Sequence, residues 1–195
     1  MPMVFARWCA FFFAVMAIAA ARAQLPATQP SSLEVRDITG VVRHPLEPGH
    51  GKAAVVIFIS TDCPVSNGYA PEINRICKAY ESRGVAFYLV HTDPALSTAD
   101  AARHATDYGF ACPILIDRKH ELVKRIGATM TPEAAVIGPD GAVAYRGRID
   151  NLYVSLGKRR YQATVHDLRA ALDATLAGKP VAVPRTTAVG CSITQ

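Results

Sequence analysis

The sequence predicts an α/β fold in which a central mixed β-sheet is flanked by helices, and three observations carry that expectation. The runs AAVVIFIS (53–60), VAFYLVH (85–91), PILID (113–117) and EAAVIG (133–138) are short and almost continuously apolar, as strands covered on both faces are. Between them, apolar residues recur at helical spacing. A Pro139-Asp140-Gly141 turn between EAAVIG and AVAYRG then predicts a hairpin, which places at least one antiparallel pair in the sheet.

The elements follow in order. Arg7, an apolar run from Trp8 to Ala21 and the small-residue site Ala21-Arg22-Ala23 read as a signal peptide over residues 1–23. The apolar run is short for a bilayer span, so cleavage is favoured over an anchor; the mature chain is expected to be periplasmic or secreted and not membrane-embedded. Residues 24–32, QLPATQPSS, form a polar lead-in. The domain proper is expected over residues 33–178. Its first helix carries Ile73, Ile76, Cys77 and Tyr80 and stops at Gly84; Ser97 with Asp100 makes a capping box for a second, ending near Gly109. Asp117 caps a third, through Val123 and Ile126 to Gly127, and Thr164 with Asp167 opens the last, carrying Leu168, Leu172 and Leu176. The tail, residues 179–195, has two prolines, Gly190 and Cys191 but no periodicity, and reads as extended and mobile.

The full chain of 195 residues carries 21 basic and 16 acidic side chains. Removing residues 1–23 takes away Arg7 and Arg22, so the net charge falls from +5 to +3. The longest basic run, Lys158-Arg159-Arg160, lacks interleaved aromatics, and nucleic-acid binding is not expected. Cleavage also removes Cys9, leaving Cys63, Cys77, Cys112 and Cys191, which allow three pairings in an exported chain.

The chemistry concentrates at FISTDCPVSNGYAP (58–71). Proline is favoured at the first helical position, so Pro64 places Cys63 at the N-cap, where unpaired N–H groups and the helix dipole favour thiolate over thiol. Ser66, at the third helical position, can turn its hydroxyl back toward the sulfur, supporting the thiolate without being able to form a disulfide with it. Asp62 opposes this as a neighbouring negative charge.

CPVSNGYAP matches the pattern C-x-x-C-x-x-x-A-P in every fixed place except Ser66, with Ala70 and Pro71 inside the first helix, and Thr131-Pro132-Glu133 precedes EAAVIGPDG. The chain resembles the exported redoxin branch of the thioredoxin superfamily, related to TlpA-like and AhpC/TSA proteins, over about residues 33–178. The stretch from YRGRID through VGCSI is similar to the ending of one bacterial redoxin-domain subgroup. The resemblance implies a thioredoxin-like fold, a Cys63 thiolate that attacks a disulfide, sulfenic acid or peroxide, and an external reductant. It also implies a cis Pro132 facing the nucleophile, with Thr131 presenting its backbone to a substrate disulfide or thiol. Asp62 stands where thioredoxins have tryptophan, and Ile57 where they bury an acid. Ser60 can stand in for the peroxiredoxin threonine, but Val56 replaces the proline that opens their motif.

With Ser66 in place of a second cysteine, resolution must come from elsewhere. Cys77 shares an apolar helical face and reads as core; Cys112, where TlpA-like proteins commonly have phenylalanine, reads as packing. Cys191 is the candidate resolving thiol, as in two-cysteine peroxiredoxins, if the tail folds back; otherwise it is incidental or intermolecular. Arg146, Arg148 and Asp150 read as a surface ion cluster, pairing with one another or steering an anion. The function expected is thiol-disulfide exchange or peroxide reduction, an antioxidant oxidoreductase acting on a thiol or disulfide protein or a peroxide. No cofactor or metal ligand is assigned. The alternative is a noncatalytic thiol or copper-binding module in which Cys63, His91 and Cys191 make a soft-metal site.

Overall fold

The computed structural model of the protein describes residues 33–49 and 51–194; the expected signal peptide and lead-in lie outside them. In chain order the elements are β1 (Val35–Arg36), β2 (Val42–Arg43), β3 (Ala53–Ile59), α1 (Pro64–Gly68), α2 (Ala70–Glu81), β4 (Val85–His91), α3 (Thr98–Asp107) and β5 (Ile114–Ile116). There follow α4 (Glu121–Ile126), β6 (Met130–Thr131), β7 (Glu133–Ile137), β8 (Val143–Gly147), β9 (Tyr153–Ser155), β10 (Lys158–Arg159), α5 (Asp167–Leu176) and β11 (Cys191–Ser192).

All of β3 is buried, because apolar side chains on both of its faces meet helices. Successive strand residues point to opposite faces. Val55, Ile57 and Ile59 pack with Ile73, Ile76, Leu168 and Leu172, from α2 and α5; Ala54, Val56 and Phe58 pack with Leu122, Val123 and Ile126, from α4. The main sheet has the order β5-β4-β3-β7-β8. β3 runs parallel to β4 and antiparallel to β7, and β7 and β8 form the hairpin. The fold is thioredoxin-like, with β3 at its centre delivering the Cys63 loop. Among the described residues no helix is long and apolar enough to cross a membrane.

Several local expectations are revised. The first helix divides at Tyr69, so Ala70 and Pro71 open α2 and lie outside α1. Ser97 accepts from the Asp100 N–H at 3.0 Å, as a capping box requires. Asp117 serves α4 from a distance: His120 is the N-cap, in the left-handed region at φ 53°, while the Asp117 carboxylate accepts from the N–H groups of Glu121 (2.8 Å) and Val123 (2.9 Å). Thr164 does not cap α5, which starts at Asp167 after His166; its hydroxyl instead accepts from Asn151 Nδ2 at 2.9 Å.

Arg146, Arg148 and Asp150 do not pair with one another. Arg146 meets the buried Glu133 at 3.2 Å and Arg148 meets Asp167 at 2.7 Å, while Asp150 accepts from the Tyr69 hydroxyl at 2.6 Å. These bonds tie β8 and its following loop to the elements around them. They leave no shared cationic cluster to steer an anion.

The tail is anchored, contrary to the mobile segment expected. The Arg146 N–H donates to Pro184 O (3.0 Å) and the Thr186 N–H to Arg146 O (3.1 Å), so the tail first runs beside β8. It then crosses to β6, where β11 pairs antiparallel with Cys191 opposite Thr131 and Ser192 opposite Met130. Its contacts are spread over short segments with partners far away in sequence, so they impose no local period.

Cys77 on α2 and Cys112 before β5 are both buried and joined as a disulfide, which corrects their reading as unpaired packing residues. Both side chains belong to the core cluster on the α2 face of the sheet, which brings them together across a sequence separation of 35. In the chain-entropy description, closing a loop of that size stabilises by about 3–4 kcal/mol. The double variant Cys77→Ala/Cys112→Ala is expected to lose about 2–4 kcal/mol of unfolding free energy, measured by urea titration under non-reducing conditions. An unchanged midpoint would show that the bridge contributes no stability.

Candidate active site

β3 ends at Ile59, and a three-residue loop carries the chain to Cys63, the N-cap of α1. Cys63 has extended backbone angles (φ −90°, ψ 107°) and Pro64 opens the helix, so the sulfur turns toward the helix's unpaired N–H groups. The Ser66 N–H donates to Cys63 Sγ at 3.4 Å. The Ser66 hydroxyl does not take the position expected of it: it accepts from the Ser60 N–H at 3.4 Å, tying α1 to the end of β3. Ser66 therefore touches the sulfur through its backbone, and its side chain fastens the loop. Asp62 is exposed, where solvent screens its charge.

The second wall is Thr131-Pro132, whose peptide bond is cis. The Cys63 thiol donates to Thr131 O at 2.9 Å, an arrangement that needs a proton on the sulfur. The third wall is Cys191. Pairing of β11 with β6 sets it opposite Thr131, the Thr131 hydroxyl donates to Cys191 O at 3.3 Å, and the Ile193 N–H donates to Thr129 O at 2.9 Å. The Cys191 and Cys63 thiols are neighbours close enough for each to shift the ionisation of the other. With Cys77 and Cys112 bridged, Cys63 and Cys191 are the two free thiols among the described residues.

The electrostatics separate these two thiols. Burial pushes the Cys63 thiol up, but the Cys191 thiol and the Ser66 N–H donate to its sulfur and outweigh burial, so it ionises below the ordinary cysteine range. Cys191 is pushed up to about 11, first by its hydrogen bond to Cys63, then by burial and by the Cys63 charge. Of the two thiols, Cys63 is therefore the readier to ionise and Cys191 the readier to keep its proton.

His91, at the end of β4, is only 1% exposed, and its Nε2 has no hydrogen-bond partner. Burial pushes it down to about 4, with His104 adding to the effect, so it is neutral near pH 7. Its ring meets that of His104 with centroids 5.1 Å apart, and His104 Nε2 lies 2.9 Å from Asn67 Oδ1 on α1. His91 does not join Cys63 and Cys191 in a metal-holding group among the described residues. The group of three whose ligand atoms converge is Glu72, Asp150 and His166. There Glu72 already accepts from Arg75 and Arg169, and Asp150 from Tyr69.

Two hollows border the loop that carries Cys63. One, of about 520 Å3, runs from Thr61 and Asp62 along α3 to His104. The other, of about 210 Å3, is bounded by Ser60, Thr92, Asp93, Thr131, Cys191 and Ile193 and so reaches the second thiol. The role of the tail in bounding this hollow was not legible in the sequence, although Gly190 next to a cysteine was the residue to notice.

A strand-end cysteine at a helix N-cap facing a cis proline, on this sheet order, defines a thioredoxin-fold redoxin. A family model described as AhpC/TSA matches residues 32–146, more than half of the chain, and the chain belongs to that family. Cys191 lies beyond the matched segment. Among solved structures the chain is similar to an uncharacterized conserved protein from Geobacillus kaustophilus, at 27% identity and TM-score 0.72, covering 86% of this chain and 90% of that one. It is also similar to a hypothetical protein from Sinorhizobium meliloti 1021, at 25% identity and TM-score 0.72, covering 85% and 92%. A secreted Mycobacterium tuberculosis disulfide oxidoreductase shares the fold, at 17% identity and TM-score 0.51, covering 75% and 96%. No curated protein matches the chain.

The alkylation rate of Cys63, followed against pH with iodoacetamide, is expected to inflect below the usual cysteine value of about 8.5. Cys191→Ala removes a donor to the sulfur and is expected to move that inflection upward. An inflection unchanged by the substitution would show that Cys191 does not support the thiolate.

Proposed function

We propose that the mature chain is an exported thiol oxidoreductase in which Cys63 is the attacking thiol and Cys191 the resolving thiol. The observation that carries this reading is the placement of Cys191 by β11 opposite Thr131, the residue whose carbonyl lies 2.9 Å from the Cys63 sulfur. Ser66 supports the thiolate through its N–H and holds the loop through its hydroxyl. Thr131 and Pro132 shape the opposite wall.

With a hydroperoxide, the Cys63 thiolate takes the terminal oxygen; the O–O bond breaks, the leaving oxygen takes a proton, and Cys63 becomes a sulfenic acid. With a disulfide, it forms a mixed disulfide and releases one thiol. In either case the Cys63 sulfur loses the negative charge that held the Cys191 proton. Cys191 then ionises more readily and attacks the Cys63 sulfur, forming a Cys63–Cys191 disulfide and releasing water or the second thiol. An external dithiol returns two electrons and two protons by exchange.

Export is supported by the signal-peptide pattern at residues 1–23 and by the Cys77–Cys112 bridge, since disulfides persist in oxidising compartments. The secreted disulfide oxidoreductase of similar fold is consistent with that compartment.

Intact mass of the mature protein after one equivalent of hydrogen peroxide tests the reading. Loss of two hydrogens, restored by dithiothreitol and absent in Cys63→Ser and Cys191→Ser, is expected. A wild-type product that instead stops at oxygen added to Cys63 would rule out Cys191 as the resolving thiol.

A further inference from the structure

We propose that β11 is a built-in occupant of the strand edge beside Cys63, and that it confines Cys63 to small oxidants by denying that edge to polypeptide disulfides until it is released. The proposal rests on Cys63 being the attacking thiol.

Strands bind extended peptides by adding them to an open edge, where main-chain hydrogen bonds supply the affinity and hold the visiting side chain in register. β6 is the strand edge next to the Cys63 sulfur, and among the described strands its ladder partner is β11. The groups that a visitor would use are taken: Thr129 O accepts from the Ile193 N–H, and the Thr131 hydroxyl donates to Cys191 O. Cys191 stands opposite Thr131, in the place a visiting cysteine would occupy in the same register.

Gly190 makes this close approach possible. It is buried, and a Cβ built on it would collide with the Thr131 carbonyl and come within 3.2 Å of Pro132 Cδ. Backbone and a proline ring cannot swing aside as a flexible side chain would, so a larger residue at 190 must push β11 off β6. With β11 seated, Cys63 is only 1% exposed, and the hollow beside it, which Cys191 lines, is of about 210 Å3. That is below the roughly 300–1,000 Å3 usual for drug-sized ligands and suits a hydroperoxide better than a peptide. The strand is only two residues long, so its release breaks few bonds, and the tail would stay tethered where Thr186 bonds to Arg146 and Tyr145.

The test compares mature wild-type protein, Gly190→Val, and a chain ended after Val189. Loss of the Cys63 thiol is followed in single turnover with hydrogen peroxide and, separately, with insulin as a polypeptide disulfide. In both variants the insulin rate is expected to rise about tenfold or more relative to the peroxide rate, as when a blocking state holding roughly nine-tenths of the population is removed. If Gly190→Val does not fold, the shortened chain, which keeps the Thr186 anchor, gives the same readout. A Cys63 that reacts with peroxide, but whose insulin rate relative to peroxide is the same in the shortened chain as in wild type, overturns the blocking role of β11 and leaves the catalytic reading standing. A wild-type Cys63 inert to both reagents overturns both.

Discussion

The antiparallel pairing of Cys191–Ser192 with Met130–Thr131 is the interaction on which the rest of the site depends. It is small, two residues against two, yet it sets one free thiol against another across 128 positions of chain. The main sheet makes it possible by burying β3 on both faces and holding the Cys63 loop at its end, and the cis Thr131-Pro132 bond presents β6 to that loop. The tail reaches β6 because its earlier part is already fastened alongside β8 at Pro184 and Thr186. Gly190 removes the side chain that would prevent the final approach.

The same pairing divides the charge. Two identical thiols in contact cannot both ionise readily, since each negative charge raises the cost of the other. Cys63 has the Ser66 N–H and the helix start on its side, so it ionises first, and Cys191 holds its proton longer. The order of events follows from that asymmetry: the sulfur that ionises attacks first, and its oxidation removes the charge that held the second thiol inactive.

The sheet was legible in the sequence because each central strand is apolar on both faces, and the observed strands fall within one or two residues of the apolar runs. Cys63 was legible at its N-cap because Pro64 and the helical spacing that follows are local signals. Ser66 was only half legible: its position was clear, but whether its hydroxyl turned to the sulfur or to Ser60 depended on the loop's path. Thr164 was misjudged for a similar reason, since its partner was set by loop geometry, whereas Asp117 does satisfy N–H groups at the start of α4, from three residues before the N-cap. The tail and the Cys77–Cys112 bridge were illegible because they depend on segments brought together only by the finished sheet. A strand of two residues has no period to detect, and four cysteines leave three pairings open.

Acid-quenched alkylation of the protein taken directly from its own compartment, followed by peptide mapping of its disulfides, tests the central pairing most directly. Peptides joining Cys63 to Cys191, alongside the Cys77–Cys112 pair, are expected in the oxidised fraction. Cys63 found bridged to Cys77 or Cys112 instead, or Cys191 found bridged only to other molecules, would contradict the delivery of Cys191 to Cys63 by the tail.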